Sequence, residues 1–276
     1  MKLGIAITTR EGIPREGCLG GDVISRFARG AEAAGLDSVW FFDAIGRGRQ
    51  SMDPLIGVAV AAAVTERIEI GTGILQVPLR HPVELANRVL TAQPVAGDRL
   101  LLGVGAGSTK SDFAALGKAF DDRMTLLHDG LATMRRLWAG ETVDGTSLNP
   151  LASVRGGPQV LIGSWAGPQW IPRAAREFDG WIASAHFAGY DTLKTGIDQY
   201  RAAGGKRAIV TNISLDIGAP TTAQDDAASG FDLACASEEA ASRPSRRAAL
   251  GYDEAVVVYR GDGEPDVAAI RALLPV

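Results

Sequence analysis

The stretch Arg99-Leu100-Leu101-Leu102-Gly103-Val104-Gly105-Ala106-Gly107-Ser108 runs apolar for a strand's length and then ends in small residues. A short apolar run without polar alternation reads as a strand buried on both faces, the kind that belongs to a parallel sheet covered by helices. Glycine at the C-terminal end of such a strand lets backbone approach a flat or anionic ligand closely. The same signature recurs at Ile68-Glu69-Ile70-Gly71-Thr72-Gly73-Ile74 and at Gln159-Val160-Leu161-Ile162-Gly163-Ser164. Buried strands that all open onto Gly/Ser loops describe a parallel α/β enzyme with its ligand at that end.

Strand and helix patterns alternate along the whole chain. Strand-like segments are Leu3–Thr8, Ser38–Phe42, Arg67–Ile74, Arg99–Val104, Gln159–Ile162, Gly180–Ala183, Ala208–Ile217 and Glu254–Tyr259. Between them, Asp22 is placed to cap a helix that Gly35 stops, and Asp53-Pro54 opens another, a cap residue followed by proline in the first turn. A helix from His81-Pro82 runs to Gln93, where Pro94 is expected to end it. A long helix spans about Asp121 to Ala139, with Leu127, Leu131 and Met134 at helical spacing. Helices are also expected at Pro168–Glu177 and Tyr190–Ala203, Thr221–Arg247 reads as mostly helical, and Pro265–Leu274 closes the chain. Alternation of this kind forces parallel strands with right-handed crossovers, and about eight such units close into a (β/α)8 TIM barrel. A doubly wound open sheet is the rival architecture. With no composition break near the middle, residues 1–276 are expected to form a single barrel domain, with loop excursions near 105–118 and 142–157.

The chain has 276 residues and a formal net charge of −4, with no visibly basic face, which argues against a nucleic-acid partner. Its 2 cysteines, Cys18 and Cys235, lie far apart, as in a reduced cytoplasmic protein. The apolar start, Met1 to Ile7, is too short for a signal peptide, and no apolar run reaches the ~18 residues of a membrane span.

In such a barrel the site lies at the C-terminal ends of the strands. That places Thr8, Asp43, Ile74, Leu75, Gly105, Ala106, Gly107, Ser108, Gly163, Ser164, Trp165, Ala166, Gly167 and His186 at the expected mouth. Gly163–Gly167 precedes a helix, so free N–H groups and a hydroxyl form either a phosphate cradle or an ordinary capped turn. Gly103-Val104-Gly105-Ala106-Gly107 is not a dinucleotide fingerprint, because no helix follows at once. Asp43 is either a ligand-facing carboxylate or a loop cap. Of the three histidines, His186 is best placed for proton transfer or substrate contact. No ligand-spaced His/carboxylate cluster stands at strand ends, so no metal is expected. Few protein groups are left to carry chemistry, which suggests a bound organic cofactor.

The chain resembles the bacterial-luciferase-like superfamily of flavin- or deazaflavin-dependent oxidoreductases. The residues that carry the likeness are Ala33-Ala34-Gly35-Leu36-Asp37-Ser38-Val39-Trp40, Thr65 through Ile74, Arg80-His81-Pro82, Gly97 through Gly107, Phe120-Asp121-Asp122-Arg123 and Asp179-Gly180-Trp181. The resemblance implies a flavin ring over the strand ends and a non-prolyl cis peptide near Gly73–Leu75. It also implies phosphate contacts on Gly163–Gly167 and ring or ribityl contacts on Gly105–Ser108. The implied activity is that of a monooxygenase using reduced FMN and oxygen on a small organic substrate, with a separate flavin reductase as a possible electron source. Hydride transfer with deazaflavin (coenzyme F-420) is the alternative, and a flavin-binding protein without turnover is a second. Many deazaflavin members carry a histidine after the acidic residue of the second strand, where this chain has Ala44 after Asp43. A homodimer is implied as well, through the helices that follow the second and third strands.

Overall fold

The computed structural model describes residues 1–7, 21–48, 50–164, 170–186, 188–217, 233–235, 250–259 and 265–273. Its strands are β1 (Lys2–Ile7), β2 (Ser38–Phe41), β3 (Glu69–Thr72), β4 (Leu75–Gln76), β5 (Leu100–Gly105), β6 (Gln159–Gly163), β7 (Gly180–Ser184), β8 (Ala208–Ile217), β9 (Leu233–Cys235) and β10 (Glu254–Tyr259). All pair in parallel. The order β10-β1-β2-β3-β5-β6-β7-β8 is closed by pairing of β10 with β8, so the sheet has become a barrel of eight strands. The open-sheet alternative is excluded. Around it stand α1 (Gly21–Ala33), α2 (Pro54–Val64), α3 (Pro82–Ala96), α4 (Lys110–Ala115), α5 (Arg123–Trp138), α6 (Ile171–Glu177), α7 (Tyr190–Ala202) and α8 (Val267–Leu273).

Local chemistry sets several of these boundaries. Asp53 caps α2 by accepting from the N–H groups of Leu55 (2.9 Å) and Ile56 (3.3 Å), with Pro54 in the first turn. Gly35 takes φ +76° just beyond α1, a conformation open to glycine at little cost. Asp22 does not cap α1; it lies within its first turn and pairs with Arg26 at 2.8 Å.

Three further expectations need correction. Pro94 does not end α3, which continues to Ala96; Ala92 and Ala96 are buried in the core, and that packing offsets the single hydrogen bond proline removes. The strand expected over Arg67–Ile74 spans only Glu69–Thr72; the Gly73–Ile74 peptide that follows is cis, and pairing resumes as β4 against Val104 and Gly105. Within Thr221–Arg247, expected to be helical, Leu233–Cys235 is a strand. β8 runs ten residues and outreaches the ring, so its Leu215–Ile217 backbone is left to pair with β9. The rest of Thr221–Arg247 lies outside the described residues.

Side chains divide between two cores. Leu102, Ile162, Ala183 and Val210 point outward to the helices. Their alternates Leu101, Leu161, Ile182 and Ile209 point into the lumen, with Ala6, Trp40, Val256 and Val258. Trp40 is the bulk of that inner layer, and β3 accommodates it with glycine: a Cβ on Gly71 would stand 2.4 Å from the indole. Below Trp40 the floor is polar. Glu254 accepts from the Ser38 hydroxyl, from Trp40 Nε1 (3.0 Å) and from Arg207 Nη2 (3.0 Å). Arg207 also clasps Glu69 through two bonds (3.0 and 2.6 Å), and Lys2 joins at 2.9 Å. Burial pushes the Glu254 carboxyl above the ordinary range. Burial acts the same way on Glu69, but Arg207 and Lys2 outweigh it and hold that carboxyl below its usual value. An open cleft lined by Met1, Lys2, Asp37, Tyr252, Asp253 and Arg271 lies at this end, away from the strands' C-terminal ends.

Candidate functional site at the barrel mouth

The layer above Trp40 faces the C-terminal mouth. On one side it is apolar. Phe42 and Ile74 are half-buried there and pack on the inner core. Ile74 occupies space that glycine leaves open on the neighbouring strands: a Cβ on Gly163 would stand 2.3 Å from its Cγ2, and one on Gly105 2.9 Å from its Cδ1. A Cβ on Gly73 would meet the Phe42 ring at 3.0 Å. The glycines at the ends of β3, β5 and β6 therefore serve first to seat Ile74 and Phe42. The result is a half-exposed apolar shelf bordered by bare backbone.

Asp43 stands behind this shelf. Both its carboxylate oxygens are engaged: Arg80 donates from Nη1 to Oδ2 and from Nη2 to Oδ1 (3.0 Å), and the Gln76 N–H donates to Oδ2 at 2.9 Å. Gln76 Nε2 then bridges the Asp43 carbonyl (3.1 Å) and Asp112 Oδ2 (3.0 Å). Asp112, fully buried on α4, is clasped by Arg47 at 2.9 and 2.6 Å. Arg80 also approaches Asp53 (3.6 Å), which Arg88 binds at 2.7 Å. Burial raises the Asp53 carboxyl, yet Arg88 and Arg80 together hold it below the ordinary range. Two Arg–Asp pairs joined through Gln76 thus tie the ends of β2, β4 and β5 into one frame, and Leu75 is buried beside it. The sequence reading missed Gln76 and Asp112. No local pattern marks them, because their partners are 33 and 65 residues away in the chain.

The Gly105–Ser108 segment crosses this frame. Ala106 and Gly107 are half-buried and Ser108 is exposed. Gly107 has φ +80°, and a Cβ there would stand 2.1 Å from Gln76 Oε1, a buried acceptor with no partner among the described residues.

On the far side of the mouth the residues are polar. Ser184 Oγ accepts from Asn212 Nδ2 (3.0 Å) and from the His186 N–H (3.3 Å), and His186 itself is exposed. Val256 is opposed by both Thr211 and Asn212, a β-bulge in which Asn212 takes φ +62°. Thr211 is 3% exposed, and its hydroxyl has no partner among the described residues. Ser164 Oγ accepts from Trp181 Nε1 at 3.1 Å. Thr8, Trp165, Ala166 and Gly167 lie outside the described residues. So Asp43, Gly73, Ile74, Leu75 and Gly105–Gly107 gather around Gln76, while His186 sits apart, beside Ser184.

The donor set fits a tricyclic flavin-type ring. Phe42 and Ile74 offer an apolar face, the glycine-edged strands allow close approach, and hydroxyls stand across the mouth to meet a polar edge. Among the described residues no group of three or more His, Cys, Asp or Glu stands together as a metal site.

Over residues 1–266 the sequence matches the luciferase-like monooxygenase family. The chain belongs to that family. An F-420-dependent glucose-6-phosphate dehydrogenase of Beutenbergia cavernae is 34% identical over 169 residues, 56% of this chain and 50% of that protein. A 5,10-methylenetetrahydromethanopterin reductase of Methanolobus tindarius is 27% identical over 59% of this chain and 50% of its own length. The chain thus spans about half the length of these curated relatives. Among solved structures, monooxygenase RslO1 from Streptomyces bottropensis superposes with a TM-score of 0.82 at 19% identity, covering 99% of this chain and 97% of its own. An F-420-dependent secondary alcohol dehydrogenase gives 0.73 at 17% identity, covering 99% and 98%. At these identities the superpositions speak for the luciferase-like barrel fold.

Proposed function

We propose that this luciferase-like barrel is a monooxygenase that binds reduced FMN at its mouth and, with oxygen, oxidises a small organic substrate. The observation that carries the reading is the shelf of Phe42 and Ile74 set among glycine strand ends, which suits a planar ring and little else of that shape. In this reading the ring supplies the redox chemistry. The chain's residues bind and orient it and keep water from the apolar face. Asp43 acts as a positioning residue rather than a proton carrier, because Arg80 and Gln76 occupy its oxygens. His186 is the candidate for contact with substrate, and Ser164 with its following loop the candidate for the cofactor phosphate.

A second reading, hydride transfer with coenzyme F-420, draws support from the F-420-dependent glucose-6-phosphate dehydrogenase named above. Purified protein supplied with reduced FMN under air, and separately with reduced F-420 without oxygen, separates the two through substrate-dependent cofactor oxidation. Oxidation that no candidate substrate accelerates, with either cofactor, counts against both.

We also propose a homodimer built on α2. Pro54–Val64 carries no charged residue, and Ile56, Ala59 and Ala63 remain outside the core. The reading includes a flavin reductase as electron source and, from the cysteine usage, a cytoplasmic location. Among the described residues no helix is long and apolar enough to cross a membrane.

A further inference from the structure

Ser184 and Thr211 are register partners on β7 and β8. Neighbouring parallel strands lie ~4.8 Å apart, so their side chains form adjacent steps of one lumen-facing rung. Both stand one step above the inner-core residues Ile182 and Ile209. The bulge at Thr211–Asn212 keeps Thr211 turned inward while Asn212 reaches back to Ser184.

The two hydroxyls have matching needs. Ser184 Oγ already accepts two hydrogen bonds, from Asn212 Nδ2 and the His186 N–H, and has no acceptor for its own proton among the described residues. Thr211 Oγ1 is buried, with no hydrogen-bond partner among the described residues. A buried hydroxyl left unpaired costs stability, and in native proteins such a group calls for an explanation. A ligand that supplies the missing acceptors is one. Half-way round the barrel stands the apolar shelf of Phe42 and Ile74, so the ligand that reaches both features is flat, with a polar edge.

Resting on the reading that a flavin-type ring fills the mouth, we infer that Ser184 and Thr211 form the recognition element for the ring's imide edge. That edge, O=C–NH–C=O, is common to flavins and deazaflavins, and its two carbonyls take one hydroxyl proton each. A single phosphate or carboxylate would instead draw both protons toward one group. Asn212 and the backbone of His186 act behind this pair by fixing the direction of the Ser184 proton.

The test compares wild type with Thr211→Val and Ser184→Ala by fluorescence titration with FMN, riboflavin and F-420, alongside thermal unfolding of the ligand-free proteins. The inference expects Thr211→Val to unfold at the same or a higher temperature than wild type, since it removes an unpaired hydroxyl. It expects both variants to bind whichever cofactor the wild type prefers roughly three- to tenfold more weakly. If that cofactor is a flavin, riboflavin loses as much as FMN, because the defect lies at the ring and not the phosphate. Unchanged affinity in both variants overturns the inference and leaves the ring-binding reading standing. A Thr211→Val protein that unfolds earlier shows that the hydroxyl was satisfied internally, and also overturns it. Wild type that saturates with none of the three probes removes the reading and the inference together.

Discussion

Arg80 holds Asp43 by both carboxylate oxygens, and neither side chain is more than 9% exposed. This pair fixes the end of β2 against β4, and Ile74 with it. Breaking a buried ion pair from one side strands the remaining charge. Asp43→Asn is therefore expected to destabilise the fold by about 3 kcal/mol, with Asp53 softening the loss. Urea denaturation of the ligand-free protein measures it. A change below about 0.5 kcal/mol, the level of an ordinary surface substitution, contradicts the frame described for this side of the mouth.

Gly163 and Ile74 share one space. Gly163→Ala puts a methyl 2.3 Å from Ile74 Cγ2 and is expected to cost about 1–3 kcal/mol by overpacking. Ile74→Ala in the same chain removes the clash, so the double variant is less destabilised than the sum of the single ones, by at least about 0.5 kcal/mol. Strict additivity in the double-mutant cycle refutes this packing.

The barrel floor makes stability depend on pH in a stated direction. Burial raises the folded-state pKa of Glu254 above its ordinary 4.5. Below that value the group is protonated in folded and unfolded chains alike, and burial carries no ionic cost. As pH rises toward the folded-state pKa the unfolded chain ionises first, and the fold loses stability. Glu254→Gln removes this dependence. The stability of the variant relative to wild type should rise between pH 4.5 and 7.5, read as the difference in urea midpoint. A difference that stays flat or falls over that range contradicts a raised carboxyl.

The outer face of α2 predicts association. Ile56 is 59% exposed in a helix segment without charge. Ile56→Glu is expected to convert a dimer to a monomer by size exclusion with light scattering. A wild-type chain that is monomeric at micromolar concentration removes the proposal.

Much of this fold was legible because its signals are local. The apolar runs at Leu100–Gly105 and Val160–Ile162 are buried on both faces, and only a covered parallel sheet suits them. Asp53-Pro54 and Gly35 mark helix ends by their own backbone needs. What stayed hidden depends on partners far along the chain. Asp43 reads equally well as ligand group or cap until Arg80, Gln76 and Asp112 are placed around it. The glycines at the strand ends suggested open space, and the structure gives part of that space to Ile74. Thr211 looks like any strand threonine, and only the register with Ser184 and the unmatched count against β10 expose its unpaired hydroxyl.

The glycine-edged shelf of Phe42 and Ile74 is proposed to receive a tricyclic redox ring. Titrating the ligand-free protein with FMN and with coenzyme F-420, following quenching of cofactor fluorescence, tests it most directly. Saturation at one ring per chain is expected with one of the two, and loss of that binding when Gly105→Leu fills the mouth while the circular dichroism of the barrel persists. Failure of both cofactors to bind the folded wild-type protein, or binding that Gly105→Leu leaves intact, contradicts it.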